Sequence, residues 1–310
     1  METILIIAGF FLLAWATLHA KTSRPDGELI RGLHPYRRLM GYVMVSRNES
    51  VVYFDSYADV EDLLQYIERC ERKFNVDISH CLVAAAMIGL AENPKMNRFS
   101  TGRRLYQRRG CAVTFSMKRK QLDTEAKLAT VKLEAIPGET FAGLCERINS
   151  RVNVERSGQR TYADKEFDLL SAIPRPVLRF AVSTLRQLDY FNILPAGFIA
   201  NDAMYTSMFI ANLGSLGMDA GFHHLYEWGN CPLFMMAGKI EDRPVVRDGE
   251  LCVRKQIHIR WSYDERIDDG LNARFGIDSV VNALEHPFDY FGCLAGDGSD
   301  ARPLDRDAPS

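Results

Sequence analysis

Apolar residues fall along this chain in blocks of different period, and each block predicts a different element. The first is a run rather than a repeat: Ile4 to Leu18 is nearly all apolar. Only Met1-Glu2-Thr3 precedes it, so the basic start of a secretory signal is missing, and Leu18 two residues before Ala20 makes a poor cleavage site. Lys21, Arg24, Arg31, Arg37 and Arg38 follow, a bias that keeps the downstream side in the cytoplasm. The run is slightly short of the roughly 20 residues that span a bilayer. Residues 1–20 are therefore expected to form a membrane anchor on the cytoplasmic face. A cleaved or interfacial segment and a buried element are the alternatives.

Residues 21–38 read as a polar linker with Pro25, Gly27, Gly32 and Pro35, and residues 39–290 as the folded domain. Tyr42 to Val45 and Val51 to Phe54 look like short strands. Ser56 and Asp59 resemble a helix cap, followed by Val60, Leu63, Leu64, Ile67 and Phe74 at helical spacing. Ser79 opens a helix over Cys81 to Ala91 that is apolar all round, hence buried. Strands at Cys111 to Ser116 and Ala129 to Leu133 flank the charged segment Lys118 to Lys127, and Thr140 to Val152 looks helical. Pro174 to Leu194 carries Val177, Leu178, Ala181, Val182, Leu185 and Leu188 against Arg175, Arg179 and Arg186. That helix packs on a core, covers an acyl channel or touches a membrane.

Met208 to Asn212 and Leu233 to Ala237 are short apolar strands. Leu251 to Tyr263 alternates most cleanly, with Val253, Ile257, Ile259, Trp261 and Tyr263 on one face and Arg254, Gln256, His258, Arg260 and Ser262 on the other. Leu271 to Leu284 follows as a helix with Leu271, Phe275, Val281 and Leu284 inward. Residues 291–310 are rich in Asp, Gly, Ser and Pro and read as a disordered tail. Strands and helices alternate irregularly, which predicts an α/β fold of the α+β sandwich kind, a mixed sheet flanked by helices.

Composition narrows this little. The 310 residues are 47% hydrophobic and 25% charged with a net charge of −2, so no global field argues for nucleic acid. The seven cysteines are odd in number and lack C-x-x-C spacing, which reads as free thiols and gives no metal site. No Walker loop, dinucleotide fingerprint or nucleophile elbow is present.

Three segments carry a family likeness: Asn93-Pro94-Lys95-Met96-Asn97, Ile210-Ala211-Asn212-Leu213-Gly214-Ser215-Leu216-Gly217, and Trp261 through Gly270. In order and separation they resemble the N-P-x-x-N, I-S-N-L-G-x-x-G and S-x-D-H-R-x-x-D-G motifs of dihydrolipoyl acyltransferase catalytic domains and chloramphenicol acetyltransferase. The resemblance runs from about Leu39 to Pro287 and implies a coenzyme A thioester as acyl donor, a chloramphenicol acetyltransferase-like fold and a homotrimer with sites between subunits. It implies a histidine base and a serine that stabilises the oxyanion, the latter worth about 3–4 kcal/mol. Glu265 stands at the histidine position and Ala211 at the serine position, beside Asn212. Asp269 is retained, either ordering the site through an ion pair or capping the helix from Leu271.

Glu265, with an unperturbed pKa of about 4.3, is a weak base for a thiol unless burial raises it; the plainer reading pairs it with Arg266 or Arg260. Ser207 and Ser215 are alternative hydroxyls, read more simply as strand and turn residues. His223 and His224 are adjacent, so on a strand one at most faces the site; His224 is the candidate replacement base, with interface packing the alternative. Arg104, Arg109 and Lys118, within a cluster that includes Arg98, Arg103, Arg108, Arg119 and Lys120, are candidates for the phosphates of coenzyme A or for anionic lipid, against a solvated hairpin. Two functions stay open: acyl transfer from a thioester by altered chemistry, or an inactive homologue serving as a trimeric binding or scaffold protein. No room for a lipoyl domain is seen before Leu39, so an ordinary dehydrogenase core subunit is not expected.

Overall fold

The computed structural model describes residues 1–118, 128–157, 173–247 and 249–305. In chain order the elements are α1 (Glu2–Ala20), β1 (Gly27–Leu29), α2 (Pro35–Val43), β2 (Val51–Asp59), α3 (Glu61–Glu71), α4 (Ile78–Glu92), β3 (Arg98–Thr101), β4 (Arg104–Arg108), β5 (Ala112–Lys118) and β6 (Leu128–Glu134). Then come α5 (Phe141–Arg156), α6 (Arg175–Tyr190), α7 (Ala196–Asn201), β7 (Met208–Asn212), β8 (Leu233–Arg247), β9 (Glu250–Asp264), α8 (Gly270–Glu285) and α9 (Pro287–Tyr290).

The main sheet runs β2-β9-β8-β7-β5-β6. β7 lies parallel to both β5 and β8, and the remaining pairs are antiparallel. This is the mixed sheet flanked by helices that the sequence predicts. A smaller sheet, β1-β4-β3, stands beside it.

The main core fills the space between one sheet face and helices α3, α4, α5 and α8. Ile257, Ile259, Trp261 and Tyr263 supply the β9 side of it, as their alternation requires. α4 is buried on all sides because it lies between the sheet and α8, and Asp77 caps it in a capping box with His80. α4 and α8 approach closely through small residues. A Cβ on Gly89 would meet Val280 at 2.5 Å, and one on Gly276 would meet the Met96 sulfur at 2.4 Å. The opposite sheet face carries a satellite core of Phe209, Phe234, Met236, Leu225 and Cys231 under the loop that precedes β8.

Several expectations are corrected. Tyr42 to Val45 is no strand: Pro35, favoured in a first helical turn, starts α2 instead, which runs on to Val43. Ser56 is no cap; it lies inside β2, and its hydroxyl accepts from Trp261 Nε1 at 2.8 Å. The helix from Leu271 is rotated: Ala273, Gly276, Ile277 and Val280 face α4, leaving Leu271 and Phe275 exposed. Val253 is exposed too, because the β8–β9 hairpin runs out beyond the domain. The stripe of α6 is only part-covered, by a side cluster around Leu194, Ile199 and Tyr205, and Val177 and Phe180 stay exposed.

The linker over 21–38 is built in rather than slack. β1 pairs with β4, and Arg24 is buried against Asp26 (2.6 Å) and Asp189 (3.1 Å). Of the tail, residues 291–305 pack onto the domain. Phe291 and Leu304 are buried, Tyr66 donates to the Gly292 carbonyl at 2.6 Å, and Asp300 accepts from the Leu294 and Ala295 amides. Cys293 and Leu294 pack against the same core. Residues 306–310 lie outside the described residues. All seven cysteines are free.

Candidate functional site

The signature stretch is a strand end, a tight turn and a helix start. Asp264 closes β9 with no exposed surface and accepts from Ser50 Oγ (2.9 Å), the Arg266 amide (3.1 Å), Arg266 Nε (2.9 Å) and Arg266 Nη2 (2.8 Å). Burial lowers the pKa of the Arg266 guanidinium, but the hydrogen bond and charge of Asp264 outweigh it and raise the net value. Main-chain bonds then tie the turn to the rest of the domain. The Glu265 amide donates to Ser50 O and the Glu265 carbonyl accepts from Arg37, both at 2.9 Å, while Arg266 Nη1 donates to Met44 O at 3.3 Å.

Asp269 caps α8, accepting from the Asn272 amide at 3.1 Å and its Nδ2 at 2.9 Å. Arg37 Nη2 stands 3.8 Å away. Cap and ion pair thus coexist, the cap being the tighter contact. The Asn272 amide bond is the main reason the Asp269 carboxyl titrates below its ordinary range.

The Glu265 side chain is half-buried and, among the described residues, has no hydrogen bond or ion pair. The expected pairing with Arg266 or Arg260 is therefore corrected. Arg266 belongs to Asp264, and Arg260 to Asp55 at 2.9 Å. Sequence neighbours lose to partners across the fold.

Ala211 lies on the sheet face opposite the main core, beside the satellite cluster. Asn212 caps the short turn after β7, accepting from the Ser215 amide at 3.2 Å and donating to Ser79 Oγ at 3.2 Å. Its amide is thus held as structure. Ser207 Oγ accepts from the Ala112 amide at 3.0 Å, and Ser215 Oγ donates to Asn212 O at 2.8 Å, as strand and turn residues do.

The loop over this face is pinned from β9: Arg260 donates to Ala220 O at 2.8 Å and Ser262 to His223 O. His223 and His224 sit in this loop and not on a strand, so the alternating-face argument fails. Their rings stack at 4.9 Å, and His223 also stacks on Phe234 at 4.5 Å. Burial lowers the His223 pKa. Nδ1 of His223 lies 2.6 Å from His224 O, and Nδ1 of His224 lies 3.2 Å from Leu225 O.

Glu265 and Ala211 do not meet within one chain. The ladder sets Ala211 level with Met236 and Arg260. Glu265 lies five residues further along, on the order of 16 Å down the strand direction. The cationic trio does not converge either. Arg104 donates to Lys21 O at 3.0 Å and to His19 O, Arg109 pairs with Glu28 at 3.2 Å, and Lys118 ends β5 in the other sheet. These three do not converge to fit the phosphates of coenzyme A. Arg119 and Lys120 lie outside the described residues. Among the described residues no group of three His, Cys, Asp or Glu is placed to hold a metal.

Sequence reasoning missed Arg37, which grips the turn from 228 residues away. It also missed Arg47, which is buried and bonded to Tyr226 O at 3.1 Å and Ser100 O at 3.3 Å. Neither shows a local signal, since each acts through contacts distant in sequence.

Comparisons with known proteins point one way. Residues 199–291 match the model of the 2-oxoacid dehydrogenases acyltransferase catalytic domain. A 47-residue segment, 15% of this chain, is 45% identical to the dihydrolipoyllysine-residue succinyltransferase component of the Cupriavidus necator 2-oxoglutarate dehydrogenase complex. A 60-residue segment, 19% of this chain, is 38% identical to the lipoamide acyltransferase component of the Pseudomonas putida branched-chain alpha-keto acid dehydrogenase complex. These segments cover only 11% and 14% of those proteins' lengths.

In structure, a probable dihydrolipoamide acetyltransferase from Listeria monocytogenes superposes with a TM-score of 0.56 at 14% identity, over 86% of this chain and 95% of that one. Chloramphenicol acetyltransferase gives 0.51 at 13% identity, over 83% and 99%. Over residues 199–291 the chain thus carries the catalytic-domain signature of the 2-oxoacid dehydrogenase acyltransferases, and its fold is that of the dihydrolipoamide acetyltransferases and chloramphenicol acetyltransferase.

Proposed function

We propose that this chain is a non-catalytic relative of the dihydrolipoyl acyltransferases, a trimeric binding or scaffold protein tethered to the cytoplasmic face of a membrane. One observation carries the reading. The framework of the signature is intact, with Asp264 locked to Arg266 and Asp269 capping α8, while Glu265 and Ala211 occupy the positions of base and oxyanion donor. An alanine methyl donates no hydrogen bond; of the two nearby hydroxyls, Ser215 donates to the Asn212 carbonyl and Ser207 is fully buried against the Ala112 amide.

Trimerisation is supported by the likeness to complex cores, such as the cubic core of the pyruvate dehydrogenase multienzyme complex (TM-score 0.54, 16% identity). The exposed Tyr36, Leu39, Tyr42 and Val43 on α2 supply apolar surface for it. The tether is supported by α1, a 19-residue apolar helix of mean hydropathy 2.0 in which no residue is buried and whose contacts with the domain lie at its C-terminal end.

The second reading is acyl transfer from a coenzyme A thioester with Glu265 as base; the half-buried carboxylate, without a hydrogen bond or ion pair among the described residues, favours it. A panel of acyl-CoA thioesters, assayed for free thiol release with wild type and Glu265→Gln, separates the two. Equal, background-level release is expected. Turnover that Glu265→Gln abolishes would sink the scaffold reading.

A further inference from the structure

A cavity of about 410 Å³ opens between the loop after α2, the β3–β4 turn, α6 and the loop before β8. Four arginines line it: Arg47, Arg103, Arg186 and Arg266. Asp189 and Glu227 line it as well. Arg266 is neutralised by Asp264, and Asp189 is held by Arg24. Glu227 accepts from the Asn48 amide at 3.0 Å and its Nδ2 at 3.1 Å. The remaining balance is three guanidiniums against one carboxylate.

Arg47 is the informative member. It is 6% exposed, and two carbonyls take up only part of its five N–H groups. Among the described residues no carboxylate pairs with it. Burial disfavours its charge; Asp264, Glu227 and Asp189 offset this only in part and from a distance, and Arg266 adds to the cost. A buried cation without an ion-pair partner is strongly disfavoured unless an anion joins it. Arg103 and Arg186 are exposed and make no ion pair among the described residues; Arg103 lies 5.4 Å over the Tyr42 ring. A fork of guanidinium donors matches the oxygens of a phosphate group.

We propose that this cavity is a binding site for a phosphate-bearing anion, held by Arg47 at its base and by Arg103 and Arg186 at its rim. The site does not rest on acyl transfer and does not include Glu265. Its neighbourhood gives two sources for the same chemistry. Arg104, next to Arg103, donates to the His19 carbonyl, and the ring of Tyr190, which lines the cavity, lies 6.4 Å from that of His19. The cavity therefore adjoins the end of the apolar helix α1, where lipid headgroups lie if α1 spans a bilayer. A soluble phosphorylated metabolite is the other source.

The test is thermal unfolding of the full chain in dodecyl maltoside micelles. One arm titrates inorganic phosphate against chloride at matched ionic strength. The other dopes the micelles with dioleoyl phosphatidic acid against dioleoyl phosphatidylcholine. A rise in Tm in either arm is expected, and which arm responds names the source. Arg103→Gln and Arg186→Gln are exposed, so their unliganded Tm should match wild type, while half-maximal stabilisation should need about tenfold more ligand or beyond. Arg47→Gln should remove the response. No rise in either arm overturns the site, as does an unchanged ligand dependence in both rim variants.

Discussion

Asp264 and Arg266 offer the sharpest test of how the signature turn is held. Asp264 has no exposed surface and Arg266 is 8% exposed, and their two side-chain bonds are 2.8 and 2.9 Å long. Ser50 Oγ and the Arg266 amide complete the carboxylate's shell. Removing one partner leaves the other buried and uncompensated, which costs about 3–5 kcal/mol. Asp264→Asn keeps the size, but its amide nitrogen turns a donor toward guanidinium donors. Arg266→Met strands the carboxylate. For a domain of this size either cost lowers Tm by about 5–9 °C. The double variant Asp264→Leu, Arg266→Met removes both charges, and replacing a buried pair by apolar side chains is often near neutral. It should therefore unfold well above the sum of the single losses, a coupling of about 2 kcal/mol or more. Calorimetric or fluorescence-detected melting of the detergent-solubilised chain reads this cycle. Single variants within about 2 °C of wild type, or a double variant at the additive value, would refute the claim that the turn is held by this pair.

Three further outcomes follow from other contacts. If Asp269 acts mainly as a helix cap, Asp269→Ala should cost about 1 kcal/mol and Asp269→Asn only a few tenths, since Asn caps equally well; equal losses in a denaturant titration would favour the Arg37 ion pair instead. Burial opposes ionisation of Asp26, but the hydrogen bond and charge of Arg24, joined by Arg108 and Asn230, outweigh it and hold the carboxyl below its usual range. Its stabilisation is therefore complete above the unfolded carboxylate pKa of about 3.9 and is lost as the pH falls through the lower folded value; Asp26→Asn should flatten that acid limb in melting curves, and an unchanged limb contradicts the assignment. Deleting residues 1–20 should move the chain from the carbonate-resistant membrane pellet to the supernatant; a full-length chain already in the supernatant would dispose of the tether.

Period carried most of the fold. β9 was legible because its alternation is strict and its inward residues are large, and α4 because an all-apolar helix has nowhere to lie but a core. Misreadings arose where small residues outrank large ones. Leu271 and Phe275 suggest an inward face on α8, yet Ala273 and Gly276 permit the close approach to α4 and so decide its rotation. Tyr42 to Val45 has strand composition without a neighbouring strand to pair with. The candidate site was legible as a motif but not as a geometry. Glu265 and Ala211 are adjacent only in the order of motifs, while the ladder register separates them along the sheet. The partners of the signature, Arg37 and Ser50, are invisible locally because they come from the other end of the chain.

The way the turn at Glu265 is hung has a consequence for what this scaffold tolerates. Its position is set by the amide and carbonyl of residue 265 and by the flanking Asp264 and Arg266, with Arg37 and Ser50 as the fixed points. Among the described residues the side chain at 265 adds no hydrogen bond or ion pair to that suspension. Residue 265 is therefore a socket, whose occupant changes the chemistry on offer without disturbing the frame, so a family framework and an altered chemical group can coexist in one stable chain.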